Sequence, residues 1–111
     1  MSARDYLAVL GSKYSVAILE ATEEPRSAQA LSDELEIPIA TCYRRLEEMA
    51  DLGLLAVHEG RSESGRQTDL FRRDVDELTV SFGETTDVTT EERSRVSRTM
   101  DRLWRRRRQP E

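Results

Sequence analysis

A chain of 111 residues with a net charge of −5 has room for one domain and one modest core, and a partner subunit would help to cover its apolar surface. One cysteine and one histidine exclude an intrachain disulfide and a closed zinc site of Cys and His ligands, so neither a metal nor a cofactor is expected. No apolar run is long enough to cross a bilayer, and MSARDYLAVLG lacks the basic-then-apolar layout of a secretion signal; the expected location is the cytoplasm, with no membrane partner.

Taken in chain order, Ser2 and Asp5 have the spacing of a capping box, with Tyr6, Leu7, Val9 and Leu10 behind them, so a short helix starts here. Gly11 and Ser12 interrupt it. Tyr14, Ala17, Ile18 and Ala21 then give a helical stripe that ends at Glu23-Glu24-Pro25 and braces the next two helices from behind. Ser27 is a good N-cap for a helix reaching Glu34 or Leu35. Position 36 is glutamate where a glycine would ease the turn, so the turn is expected to close without a left-handed residue. Pro38 suits the start of the next helix, Ile37 and Cys42 stand where a hydrophobic staple would, and Gly53 is the stop signal after Leu52.

The stretch from Ser27 to Gly53 therefore reads as a helix-turn-helix, with Leu31, Leu35, Ile37, Cys42 and Leu46 locking two crossed helices together. The free face of the second helix, about residues 38–52, carries Thr41, Tyr43, Arg44 and, toward its edge, Arg45. These are hydrogen-bonding and cationic groups suited to base edges and phosphates. From Leu54 to Val57 the composition turns β-favouring, a polar segment 59–66 comes next, and Thr68 to Arg72 resumes an extended pattern. A hairpin over about 54–73 is expected, a wing whose Arg61 and Arg66 reach a phosphate or the minor groove.

Leu78, Val80 and Phe82 alternate with Thr79 and Ser81, which predicts one more half-buried strand that extends the small sheet or supports the linker. Thr89 with Glu92 forms a second capping-box pattern, predicting a helix through at least Arg105. Its narrow apolar seam, Val96, Met100, Leu103 and Trp104, is best buried against the same helix of a second subunit, with docking on the first helix of its own chain as the alternative. The expected organisation is thus a DNA-binding unit over 1–83 and a C-terminal dimerisation helix with a basic tail over 84–111. The fold class is mainly α with a small antiparallel β wing (α+β).

Charge is segregated along the chain. Acidic residues gather in 20–36 and 84–92, and arginines at 44, 45, 61, 66, 72, 73 and from 93 to 108. Sixteen arginines against the single Lys13, on an acidic background, suggest a GC-rich genome and a salty cytoplasm. An enzyme has little support: there is no phosphate-cradling glycine loop and no metal-ligand cluster, and the carboxylates fall on helix faces and loop ends.

The segments LGSKYSVAILEAT and ALSDELEIPIATCYRRLEEMADLGLL, with a charged hairpin after them, resemble the ArsR-like winged helix-turn-helix regulators common in archaea, over about Leu10 to Phe82. The resemblance implies a transcription regulator that binds double-stranded operator DNA as a homodimer. It places Ile39, Ala40, Thr41, Tyr43 and Arg44 toward the major groove, Arg45 nearer the backbone, and Ser27, Ala28 and Gln29 at a phosphate. Metal-sensing relatives hold paired cysteines at this helix; here Cys42 stands alone, which leaves packing or redox sensing as its roles and no legible small-molecule effector. A winged helix that binds a protein of the transcription apparatus is the alternative reading.

Overall fold

The computed structural model describes residues 1–62 and 64–92, apart from the side chain of Glu92. Among these residues four helices, α1 (Ala3–Leu10), α2 (Ser15–Ala21), α3 (Ala28–Leu35) and α4 (Ile39–Asp51), are joined to five strands, β1 (Arg26–Ser27), β2 (Leu55–Arg61), β3 (Gln67–Arg73), β4 (Val75–Phe82) and β5 (Thr86–Glu92). No helix among the described residues is long and apolar enough to cross a membrane.

Local chemistry explains most of the boundaries. Ser2 and Asp5 form the expected capping box on α1, and these hydrogen bonds hold the Asp5 carboxyl below its ordinary pKa. Ser27 caps α3 by accepting from the Ala30 N–H at 3.1 Å. Position 36 departs from expectation. Glu36 itself takes the left-handed conformation, φ 56° and ψ 49°, so the turn is closed in the usual geometry without glycine. Ser32 and Ile37 hold that turn, the hydroxyl donating to the Ile37 carbonyl while the Ile37 N–H donates to the Ser32 carbonyl. Pro38 is the N-cap of α4, and Ile37 and Cys42, one on each side of it, are both buried, as a hydrophobic staple requires. At the far end the Leu54 N–H donates to the Met49 carbonyl and the Gly53 N–H to the Ala50 carbonyl, with Gly53 at φ 78°, a Schellman stop.

The core sits between α2, α3, α4 and the sheet. Ile18, Leu31, Cys42, Leu46, Met49 and Leu54 are fully buried, and Ala28, Ile37, Leu52, Leu55, Phe71 and Val75 complete the cluster. Tyr6 of α1 donates its hydroxyl to the Leu52 carbonyl at the end of α4. β3 lies between β1 and β2, all antiparallel, with Ser27 opposite Leu70 and Val57 opposite Phe71. The two residues of β1 thus bond the start of α3 directly to the wing, fixing the hairpin relative to the helices.

The region after β3 corrects the sequence reading in two ways. β4 does not extend that sheet; it pairs with β5 in a separate two-stranded sheet, with Val80 opposite Val88 and Thr79 opposite Thr89. Thr89 and Glu92, expected to open a helix, belong to β5. The run Thr85-Thr86-Asp87-Val88-Thr89-Thr90 is rich in β-branched residues, and a partner strand of alternating apolar residues is waiting across a short turn. That pairing outweighs a local capping pattern. Helices and small antiparallel sheets together make an α+β fold among the described residues. The expected seam of Val96, Met100, Leu103 and Trp104 lies outside the described residues.

Candidate nucleic-acid interface

The two faces of α4 divide cleanly. Cys42, Leu46 and Met49 point into the core, each 0% exposed. Ala40, Tyr43, Arg44 and Glu47, spaced three or four apart, form one exposed stripe on the opposite side. Ile39 flanks the stripe at the start of the helix with 39% of its surface exposed. Thr41 is half-buried on the flank that faces Arg45 and Glu48 rather than on the stripe. Arg44 has neither an ion pair nor a side-chain hydrogen bond among the described residues, so its guanidinium is available to an outside acceptor.

Arg45, expected near the DNA backbone, is committed inward. Its Nε donates to the Lys13 carbonyl at 3.1 Å and its Nη1 pairs with Glu48 at 3.0 Å. Lys13 in turn lays its ammonium 5.0 Å from the centre of the Tyr14 ring, next to the left-handed turn at Tyr14. Arg45 is therefore a tie between α4 and the α1–α2 connection. Ser27 is similarly committed, since it is buried and its hydroxyl is the α3 cap. Gln29, one residue into α3, is exposed and donates to Asp33 at 3.0 Å.

The hairpin strands run further than the sequence pattern suggested, so the tip is only residues 62–66. The Gly65 N–H donates to the Ser62 carbonyl, with Gly65 at φ 85°, and the Ser62 N–H donates to the Arg66 carbonyl. Arg61 braces the tip by donating from Nη1 to the Gly65 carbonyl at 3.0 Å. Arg66 is exposed and its guanidinium has no partner among the described residues.

Between this tip and the helices lies an open cleft lined by Ser27, Gln29, Tyr43, Ser62, Ser64, Arg66 and Thr68. The fold thus brings Gln29, Tyr43 and Arg66 together and adds three hydroxyls that sequence reasoning missed. One cation among hydroxyl and amide donors suits a phosphate oxygen. On the other side of Tyr43 a second groove, between α4 and the sheet, is lined by Glu47, Ala50, Asp51, Val57, Asp69 and Phe71. Its carboxylates repel phosphate. Tyr43 divides an anion-accepting end from an anion-repelling one, a polarity that the net charge conceals. The signal for Glu47 was in the sequence all along, because it comes three residues after Arg44 and four after Tyr43.

Cys42 is 0% exposed, its thiol lies 3.6 Å from the Ala28 carbonyl, and burial pushes its pKa up. A thiol kept protonated and out of solvent is a packing group between α3 and α4 and a poor nucleophile.

Residues 10–58 match the family model of a helix-turn-helix domain. No curated protein matches the chain. The matched span takes in α2, α3, α4 and the first half of β2, and it supports a DNA-binding regulator of the helix-turn-helix class, a class that is generally not enzymatic.

Proposed function

We propose that this chain is a sequence-specific, ArsR-like transcription regulator that binds double-stranded DNA as a homodimer, with α4 in the major groove and the β2–β3 hairpin as a wing beside it. The observation that carries the reading is the exposed stripe of α4, with Tyr43 and with Arg44, which has no partner among the described residues, standing next to a cleft whose other wall is the wing tip with Arg66. Arg44 would read a guanine edge, Ile39 and Ala40 would meet thymine methyls, and Tyr43 with Thr41 at the flank would complete the base contacts. Gln29, Arg66 and the tip hydroxyls would fix register on phosphates. Arg61 contributes by shaping the tip, and Ser27 and Arg45 by holding α3 and α4 in place. Residues Val96, Met100, Leu103 and Trp104 are assigned to the dimer contact, and two recognition helices on one face of the DNA would meet half-sites roughly 10 bp apart, centre to centre.

Gel shifts on the DNA upstream of the protein's own gene test the reading. Arg44→Ala is expected to lose roughly 5- to 100-fold in specific affinity, and Arg66→Ala to flatten the salt dependence by about one unit of slope. A monomer mass in sedimentation removes the dimer, and no binding by the wild type at any salt removes the DNA assignment. A second reading, a basic protein partner, is favoured by one observation: the groove of Glu47, Asp51 and Asp69 around the half-exposed Val57. Capture of the wild type by a basic partner, lost on charge reversal at Asp51 and Asp69 while DNA binding is absent, would select it.

A further inference from the structure

The exposed stripe of α4 includes a carboxylate to which the proposed DNA contacts give no task. Glu47 stands three residues after Arg44, four after Tyr43 and seven after Ala40, so all four side chains leave the same side of the helix. On the neighbouring flank, Arg45 and Glu48 have the same three-residue spacing and close into an ion pair at 3.0 Å. Arg44 and Glu47 do not. Both are exposed, and neither has an ion pair or side-chain hydrogen bond among the described residues. The charged groups that share the groove with Glu47 are Asp51 and Asp69, so no cation among the described residues neutralises it there.

A bare carboxylate on a surface that meets a polyanion lowers affinity for every sequence by repelling phosphates. It becomes an asset in one arrangement, when it accepts a hydrogen bond from an exocyclic amine in the major groove. Cytosine N4 is the donor that a carboxylate suits best. Side chains one helical turn apart have Cβ atoms about 5–6 Å apart, between one and two of the roughly 3.4 Å steps between stacked base pairs. Arg44 and Glu47 can therefore address the same or adjacent pairs, a cation for the guanine edge and an anion for the cytosine edge.

We infer that Glu47 is a specificity-determining residue that accepts from the N4 amine of a cytosine at or next to the guanine read by Arg44, each half-site thereby containing a required G·C element. The inference rests on the proposed placement of α4 in the major groove. Within that placement Glu47 works by exclusion as well as by attraction, because thymine offers its carbonyl oxygen to the carboxylate and guanine offers two acceptors.

Selection of bound sites from a randomised duplex library, with the full-length wild type, Glu47→Ala and Glu47→Gln, tests this. All three should fold, since the side chain is exposed and both replacements favour helix. The wild type is expected to enrich cytosine at one position per half-site beside a guanine. Glu47→Ala should lose that preference alone, Glu47→Gln should shift it toward adenine, and affinity of Glu47→Ala for the wild-type site should fall roughly 5- to 100-fold with an unchanged salt slope. Identical base preferences in all three proteins, with Glu47→Ala tighter on every sequence, would show simple repulsion and overturn the inference while leaving DNA binding intact. No enrichment and no binding by the wild type would overturn the DNA assignment itself and this inference with it, so the two failures are distinguishable.

Discussion

The α3–α4 unit and the β4–β5 hairpin occupy the same small molecule and are held by opposite means. In α3–α4 the packing side chains, Leu31, Ile37, Cys42, Leu46 and Met49, lie at or near zero exposure, and caps at Ser27, Glu36 and Gly53 fix where the chain turns. In β4–β5 Val75 is the one buried side chain among the described residues, Leu78 packs partly against the core, β5 lies against α1, and cross-strand neighbours such as Val80 and Val88 supply the rest. A two-stranded sheet on its own is marginal in water, so the hairpin depends on the body beside it, to whose core it contributes Val75. Rigid positioning is concentrated where the exposed stripe of α4 needs it.

Core truncation should break this contrast if it is wrong. Leu46→Ala removes a fully buried side chain at the crossing of α3 and α4 and is expected to destabilise by about 2–5 kcal/mol. Val80→Ala, half-buried in the hairpin, should lose no more than about 1 kcal/mol. Urea unfolding of the two variants measures both. Equal losses would mean that the hairpin is as much a part of the cooperative core as α4.

Caps give the next largest effect and sharpen the same contrast, because two sites with matching local patterns have different fates. Ser27→Ala leaves the Ala30 N–H without its acceptor and should lose about 1 kcal/mol. Thr89→Ala removes a residue whose capping pattern is not used, since Thr89 sits in β5 opposite Thr79, and should change stability by less than about 0.5 kcal/mol. Thermal melts that ranked the two the other way would restore a helix beginning at Thr89.

These pairs also show what the sequence made legible. The helix-turn-helix was readable because each of its signals acts over a handful of residues and all of them agree: the staple at Ile37 and Cys42, the cap at Ser27, the stop at Gly53. The wing was readable as a hairpin, but its length was not, because Glu59 and Gly60 continue β2 only through pairing with Asp69 and Thr68 across the ladder. The strand at Thr86–Glu92 was misread for the same reason. A local capping pattern favoured a helix, and the information that decided against it lay in another strand. On α4, Arg44 is exposed as its place on the helix predicts, whereas Arg45, adjacent in sequence, is tied to the Lys13 carbonyl 32 residues away. Residue type suggests what a side chain can bind. Only the fold decides whether it is already bound.

Cys42 offers a smaller, pH-dependent test of the buried side of the contrast. Burial raises its thiol pKa, whereas the thiol of the unfolded chain ionises near its ordinary value of about 8.5. Above that value the folded state binds more protons than the unfolded one, so the contribution is fully present below it and declines as pH rises toward the folded pKa. Unfolding free energy measured from pH 7 to pH 10 should therefore fall more steeply for the wild type than for Cys42→Ala. Parallel curves would mean that the thiol reaches solvent and would revive a redox role for it.

The smallest expected effect is at the other extreme of the molecule. Phe82 ends β4 with 79% of its surface exposed, opposite Thr86, so Phe82→Ser removes almost no surface that folding buries and should change stability by less than about 0.5 kcal/mol. The measurement gains force when repeated at several protein concentrations. A side chain exposed in the monomer contributes the same small amount at every concentration, whereas one covered by a second subunit contributes more as association fills. A loss above about 1 kcal/mol that grows with concentration would place the hairpin tip inside a dimer contact. The hairpin would then take its stability from the partner subunit, and the dependence seen within one chain, hairpin on body, would extend across two.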